Sequence, residues 1–311
     1  INLSGRDLKL KGPVMSGTCD NLSFREKSGF ECLLLSGKAK VGNGKTIVDD
    51  LRIKDDWSDI TLPSFVMSYK DTDSWSYFTS DVRMTGQIKP STVSMKTLGY
   101  FAPALKNFRL SALLEGDVDG YVNDLSVKNI HIRTSDADGY RDWADHEGHG
   151  ISGTITGSVV GLPDSYGMLT EATLSHIRFT SSGLEHFIKG WAPGASLNLS
   201  NLCKGSGLEF SGRMRGPLNR LHVHGTLTDG AGKVNANVHI FNVIDKYRPL
   251  EIGGTVQTES LDISRIVAGV PIGPCDMRAG LSATLAEDGP DVRIDSLHVD
   301  RLNALGYDYT G

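Results

Sequence analysis

Apolar and polar residues alternate with a period of two along most of the 311-residue chain. Successive side chains of a β-strand point to opposite faces, so this pattern predicts strands with one apolar and one polar face. A slip of one residue would move a whole apolar set into water, which fixes the pairing register. The clearest runs are 82–88, 151–159, 208–214, 221–227, 234–240 and 277–285.

Turn residues separate these runs at the spacing expected of an all-β chain. Asn-Gly and Asp-Gly pairs supply the positive φ that tight hairpins need. The predicted turns are 42–45, 119–120, 138–139, 229–232 and 287–290. Helical signals are few and short, and they cover 182–188, 96–104 and a turn capped by Asp262.

The chain contains a loose internal repeat, in which 108–116 resembles 208–216. Recurring strand–turn–strand units without a strict period suggest stacking along one axis. Since no change of composition marks a boundary, we expect residues 1–311 to form one continuous segment. The chain starts and ends within alternating patterns, and we interpret it as a piece of a longer protein.

Glycine is unusually frequent, with 36 residues in 311, against a typical share of ~7%. The glycines follow no G-x-y period, which excludes collagen, and the even spread of apolar residues excludes a disordered chain. Glycine inside a strand marks a bend, a bulge or a close approach. Repeated strand glycines therefore predict a strongly curved sheet. Its apolar face forms either a long groove suited to acyl chains or the filled interior of a sandwich or solenoid.

Charge and hydropathy exclude several classes of protein. The formal net charge of −5 argues against a nucleic-acid partner, which would require a basic surface. No stretch reaches the ~18 apolar residues of a membrane-spanning helix. The first residues of this piece are not a basic segment followed by an apolar one, and we expect any leader or anchor to lie outside it.

Candidate metal sites in the sequence are weak. His146 and His149 flank a glutamate like a metalloprotease motif, but they are one residue too close for the helical H-E-x-x-H pattern. His222 and His224 share a strand face without an evident third ligand. The stretches 117–120 and 136–139 lack the continuation of a calcium loop. Solvated loops, a solvent face and turns explain these residues better, so no metal is expected.

Signals for catalysis are equally weak. Residues 44–46 mimic the end of a P-loop, but Ala39 stands where the first glycine belongs. The sequence contains no G-x-S-x-G elbow and no distinct carboxylate pair. We therefore expect neither enzymatic activity nor a cofactor.

The four cysteines, Cys19, Cys32, Cys203 and Cys275, form no C-x-x-C pair, which argues against structural zinc. Cys19 and Cys32 are close enough in sequence for a bridge between neighbouring strands. Free buried thiols fit the pattern as well, so both alternatives stay open.

The order of motifs resembles the TamB family of the AsmA-like superfamily, in the form found in Bacteroidota. The likeness covers most of the chain. The segments that carry it are 62–65, Trp75, 82–88, 98–103, 108–116, 150–153, 161–164, 212–218, 250–252, 261–267, 272–273, the strand from Met277, and 306–309.

The resemblance implies a β-taco, an elongated antiparallel sheet folded along its length into an open trough. It also implies a periplasmic protein anchored in the inner membrane, with phospholipid as ligand. An Omp85-type outer-membrane barrel would be bound through regions outside this chain. Two functions follow: conduction of phospholipid acyl chains between the membranes, or a scaffold for assembly of outer-membrane β-barrels. A filled surface module remains the third alternative.

Alternation predicts which side chains would line the groove. We expect acyl chains to contact inward positions that the period of two places on one face. These are Val82, Met84, Leu125, Val127, Ile155, Val159, Phe210, Met214, Val223, Val238, Ile252 and Leu281.

Overall fold

The computed structural model describes residues 1–27, 29–101, 110–135, 150–162, 164, 167–181, 183–185, 207–243, 245, 247–266, 269–286 and 289–311. The fold is all-β, as predicted, with few short helices. Every alternating run named above forms a strand. The first nine strands are β1 (Asn2–Lys11), β2 (Val14–Arg25), β3 (Glu31–Gly42), β4 (Lys45–Lys54), β5 (Asp59–Ser68), β6 (Arg83–Ser94), β7 (Ser111–Tyr121), β8 (Asp124–Ser135) and β9 (Ile151–Val160).

The remaining strands follow in the same manner. They are β10 (Leu169–Phe179), β11 (Leu208–Pro217), β12 (Arg220–Asp229), β13 (Gly232–Phe241), β14 (Leu250–Glu259), β15 (Leu261–Asp262), β16 (Ile272–Ala286), β17 (Gly289–Ala304) and β18 (Tyr307–Thr310). Across the described strands, sequential neighbours pair antiparallel, except that β14 and β15 do not pair with each other and both pair with β16. Among the described residues no ladder joins β1 to β18, so the 18-stranded sheet is open.

The chain divides into two compact units. The first comprises Ile1–Asp145 and Ile155–Met168, and the second comprises His146–Thr154 and Leu169–Gly311. Strand β9 contributes its first residues to the second unit and the rest to the first. A single continuous segment over 1–311 stays a prediction.

Short helices interrupt the meander. A 3₁₀ helix (Thr72–Tyr77) leads into α1 (Phe78–Asp81), and the sequence patterns missed both. The Asp71 side chain accepts hydrogen bonds from the N–H groups of Asp73 and Ser74 and so begins the 3₁₀ helix. The predicted turns at 96–104 and after Asp262 are present as α2 (Met95–Phe101) and α3 (Ile263–Ile266). Residues 183–185 are helical, whereas most of the predicted segment 182–188 lies outside the described residues.

The turn predictions were correct where the chain is described, with one exception. Turns occur at 43–44 and 230–231, whereas 138–139 and 287–288 lie outside the described residues. Residues 119–120 were wrongly predicted as a turn, because they continue β7 and the chain reverses at 122–123. Asp119 faces Arg83 across the sheet, and this pairing extends the strand past the Asp-Gly signal.

The same bulge occurs at five positions, in β1, β4, β8 and β10 and between β14 and β15. A non-glycine residue with φ between 50° and 56° precedes an aliphatic residue that lies against a glycine of a neighbouring strand. Such bulges insert a residue, bend the strand and increase its twist. The five copies are Asp7-Leu8 over Gly17, Asp50-Leu51 over Gly37, Asn129-Ile130 over Gly116, His176-Ile177 over Gly153 and Ser260-Leu261 over Gly232.

Candidate functional site

Cross-strand register places apolar residues of the first unit in continuous rows. Directly opposed residues of antiparallel strands point to the same face, so each row lies on one face of the sheet. One row runs through Gly17, Ala39, Val48, Phe65, Gly86, Val118 and Val127. The next runs through Met15, Val41, Thr46, Met67, Met84, Gly120 and Leu125. The structure thus brings the predicted residues Met84, Leu125 and Val127 onto a single face.

The second unit contains the same arrangement. Four of the predicted residues lie on one row, which runs through Ala172, Met214, Val223, Val238, Gly254, Leu281 and Ile294. Ile252 belongs to the adjacent row, opposite Ile240 and Ala283. Phe210 lies on another row of that face, opposite Leu227.

The two predicted residues of β9 follow the same alternation. Ile155 and Val159 are half-buried, whereas Thr156 between them is exposed. The Thr156 hydroxyl accepts the N–H of Asn129 from β8 at 3.0 Å. The apolar side of β9 therefore lies opposite this hydroxyl.

The apolar rows are only partly covered. Ten of the twelve predicted residues are half-buried, and Val238 is 9% exposed. Among the described residues, the largest side chains that are less than 2% exposed are Val82, Cys32, Cys275 and Ser91. The core of a filled sandwich would bury its large aliphatic and aromatic side chains completely. The rows therefore lack the covering layer of such a core.

Val82 does not fit the predicted groove. Its side chain is completely buried, and it lies between α1 and β6 rather than on a half-exposed row. A side chain with no accessible surface cannot contact a mobile ligand. The structure therefore removes Val82 from the residues that could line a groove.

Apolar exposure increases at the outermost strands. Leu8 and Leu10 of β1 are each 78% exposed, and Ile294 and Leu297 of β17 are 61% and 56% exposed. Leu10 extends the row that begins at Met15, and Ile294 ends the row of Met214. The rows therefore reach the edge strands as accessible apolar surface.

In the first unit, the buried apolar side chains lie mostly on the side of the bulges away from the apolar rows, which we call the side beyond the bulges. Leu51 and Leu62 are opposed across β4 and β5, and both are buried, as are Cys32, Val93 and Ala112. The buried carboxylate of Asp55 closes this end. One of its oxygens accepts the N–H groups of Trp57 and Ser58, and the other accepts the Thr97 hydroxyl at 2.6 Å. This network ties α2 to the loop between β4 and β5.

The corresponding packed region of the second unit is mostly apolar. Ala231, Leu261 and Cys275 form its buried centre, and residues of α3 pack against it. The Thr258 hydroxyl donates to the carbonyl of Cys275 at 3.0 Å. Asp276 accepts the N–H of Ser260 and an N–H of Arg301, which fixes the bulge next to this cluster.

The opposite face of the sheet carries ion pairs. Arg83 and Thr85 donate to the carboxylate of Asp119, and these hydrogen bonds lower the pKa of that carboxyl group. Glu209 binds His176 and Arg178 in the same way, which lowers the pKa of Glu209. The charged groups of this face are solvated, so each unit has one polar, hydrated face and one apolar face.

The histidines of β12 lie on the polar face, as predicted. His222 stacks on His239 with 4.7 Å between ring centroids, and its Nε2 lies 2.6 Å from Asn237 Oδ1. His224 is exposed. Within the described part of the chain no group of His, Cys, Asp or Glu is arranged to hold a metal. His146, His149 and residues 136–139 lie outside that part.

The cysteines that the structure describes are free thiols. Cys19 opposes Gly37 and Cys32 opposes Phe24, so the two cysteines lie five residues apart in register. That separation of about 16 Å along the strands is too long for a disulfide. Burial raises the pKa of the Cys32 and Cys275 thiols. Cys203 lies outside the described residues.

Sequence reasoning missed the bulges that bound the rows. Each places an Asp, Asn, His or Ser directly before a Leu or Ile, and the alternation shifts by one residue there. Asn and Asp enter the left-handed region more readily than other non-glycine residues. A polar–aliphatic pair at a break in alternation is thus a signal that could have located these bends.

Comparison with known proteins gives no neighbour. No family model matches the chain, and neither a curated protein nor a solved structure does. Across the described residues, no helix is both long enough and apolar enough to cross a membrane.

Proposed function

We propose that this chain is a segment of a TamB-like bridge protein whose apolar face conducts phospholipid acyl chains through the periplasm. The observation that carries the proposal is the set of continuous, half-exposed apolar rows in both units. Acyl chains would lie on these rows, and the headgroups would remain in water.

The expected free energy of binding an acyl chain suits a ligand that moves along the rows. Burying an acyl chain stabilises it by about 0.8 kcal/mol per CH₂. Small residues alternate with Met, Val and Phe along the rows, and Gly212 and Gly225 leave room that the Phe210 ring occupies. Because these contacts are non-directional, similar binding at successive positions allows a chain to slide.

Charge placed on a row should prevent lipid binding. Met84→Arg puts a guanidinium opposite Met67, and Gln87→Arg places the same charge on the polar face of the same strand, opposite Asp117. We expect lipid extracted from purified Met84→Arg protein to fall about tenfold, because burying an unpaired charge is costly. Mass spectrometry of the extract measures this. Met214→Arg provides the equivalent test in the second unit.

Gln87→Arg protein should retain the lipid content of the wild type. Circular dichroism would show that each variant is folded. Equal lipid content in folded Met84→Arg, Met214→Arg and wild-type protein, or none in any of them, would contradict the conduit.

A second candidate function is supported by the edge strand β1, all ten residues of which are exposed. An exposed edge can pair with an extended segment of an unfolded outer-membrane protein. This scaffold would act together with an Omp85-type barrel that binds elsewhere on the longer protein. If it is the main function, Ser4→Pro in β1 should impair barrel assembly more than Met84→Arg does.

A further inference from the structure

A cavity of about 470 Å³ lies in the second unit, and strands β12, β13, β14, β16 and β17 line it. Its lining contains consecutive members of two cross-strand rows of the polar face. One row runs through His224, Asn237, Thr255, Gly280 and Ser296. The other runs through Gln257, Arg278 and His298. Gly280 lacks a side chain and lies between these polar groups.

Hydrogen bonds within the protein use acceptor atoms of two side chains that line the cavity and leave the donor groups of these side chains available to a ligand. Ser296 Oγ accepts the N–H of Gly280 at 3.1 Å, so its own hydroxyl proton is free to donate. Asn237 Oδ1 lies 2.6 Å from His222 Nε2, which leaves the Asn237 amide nitrogen to donate. Both groups line the cavity and supply hydrogen-bond donors there, beside the apolar residues Ala236, Val256, Ala279 and Leu297.

Positive charge in the cavity comes from the guanidinium of Arg278. Arg278 Nε lies 3.8 Å from Asp300 Oδ2, and His298 Nε2 lies 3.2 Å from the other oxygen of Asp300. Asp300 thus lies close to both side chains and offsets part of the charge of Arg278. The nearby carboxylate of Glu259 accepts from Asn235 at 2.7 Å. No carboxylate is among the residues that line the cavity.

We propose that this cavity binds the phosphate of an anionic ligand, with Arg278 as the charged donor and Asn237, Thr255 and Ser296 as neutral donors. Guanidinium groups match the geometry of phosphate oxygens, and charge-assisted hydrogen bonds are the strong ones. The phosphate belongs either to a soluble phosphate ester or to a lipid headgroup at a bilayer surface. The site lies on the face opposite the apolar rows and does not depend on the proposed conduit.

An NMR titration with inorganic phosphate tests the site directly. The signals of the Gly280 amide and the His298 imidazole should shift and saturate, with a Kd near 1 mM, or about 4 kcal/mol. Arg278→Gln should weaken binding about tenfold. Gly280→Ala should weaken it similarly, since a Cβ there would lie 2.7 Å from Ser296 Oγ and displace this hydroxyl.

The matched control is Arg293→Gln. Arg293 lies on β17, is highly exposed and pairs with Asp295 outside the cavity lining. Its loss removes the same charge and should change the Kd by less than twofold. Failure to saturate, or an equal loss in Arg293→Gln, would overturn the proposal. Glycerol phosphate and phosphatidylglycerol vesicles then distinguish the sources: binding of the first indicates a soluble ester, and binding of vesicles alone indicates a lipid surface.

Discussion

The first unit buries its apolar residues very differently on the two sides of its bulges. Beyond them, Leu51, Leu62 and Ala112 are packed and the Asp55 network closes the end. Before them, Val48 and Val127 remain half-buried in their row. The same strands run through both sides. The difference shows that close packing is concentrated beyond the bulges, whereas the rows keep accessible apolar surface.

Truncating one leucine in each region should give the largest contrast. We expect Leu51→Ala to lower the free energy of unfolding by about 2–4 kcal/mol, because it opens a cavity in packed surroundings. Leu125→Ala on the half-exposed row should cost only about 1 kcal/mol. Urea denaturation measures both. Equal losses would mean that the rows are as firmly packed as the ends.

A glycine lies at the bulge between the packed region and the half-exposed rows. Its replacement should lower the free energy of unfolding by an intermediate amount. Gly116 has a φ of 146°, and a Cβ would lie 2.6 Å from the carbonyl oxygen of Asn129. Gly116→Ala should therefore cost about 2 kcal/mol. Gly253→Ala is the control, since nothing lies within 4 Å of its Cβ position. A difference of less than about 0.5 kcal/mol between them would show that the bulge tolerates a side chain.

Lowering the pH should weaken the contacts that Asp276 makes at the bulge of the second unit. We expect this to be the smallest of the predicted changes in stability. The N–H of Ser260, followed by Arg301, lowers the pKa of Asp276 below its ordinary value. Its stabilisation is thus present above that ordinary pKa and is lost as the pH falls through the lowered one. We expect a loss of less than about 1 kcal/mol between about pH 6 and pH 3.

Asp276→Asn should remove this part of the pH dependence, whereas Asp295→Asn should leave it unchanged. Urea denaturation at both pH values measures the change. An identical pH dependence in Asp276→Asn and the wild type would show that the carboxylate does not stabilise the bulge.

Much of the strand content was predictable from the sequence, because alternation is local. The run 221–227 lies within β12 and the run 82–88 lies within β6 from Arg83 onward, and the residues named from their period share faces. Helix α2 was also predicted. The 3₁₀ helix at Thr72–Tyr77 was missed, since a single capping box gives little signal in a short segment.

The burial of a side chain was harder to predict than the face of the sheet on which it lies. Val82 fits the alternation that continues in β6 yet is completely buried at the junction between α1 and β6. The polar cavity around Gly280 was missed as well. Its residues come from five strands, and only pairing places them together.

The sequence by itself determined that the chain forms strands with one apolar and one polar face, because side-chain direction follows from backbone geometry at each residue. Only the tertiary structure decided which apolar residues are packed and which stay accessible. That depends on where bulges such as Asp50-Leu51 bend the strands and on what packs over them. Burial is a property of neighbours far apart in sequence, and a period of two contains no information about them.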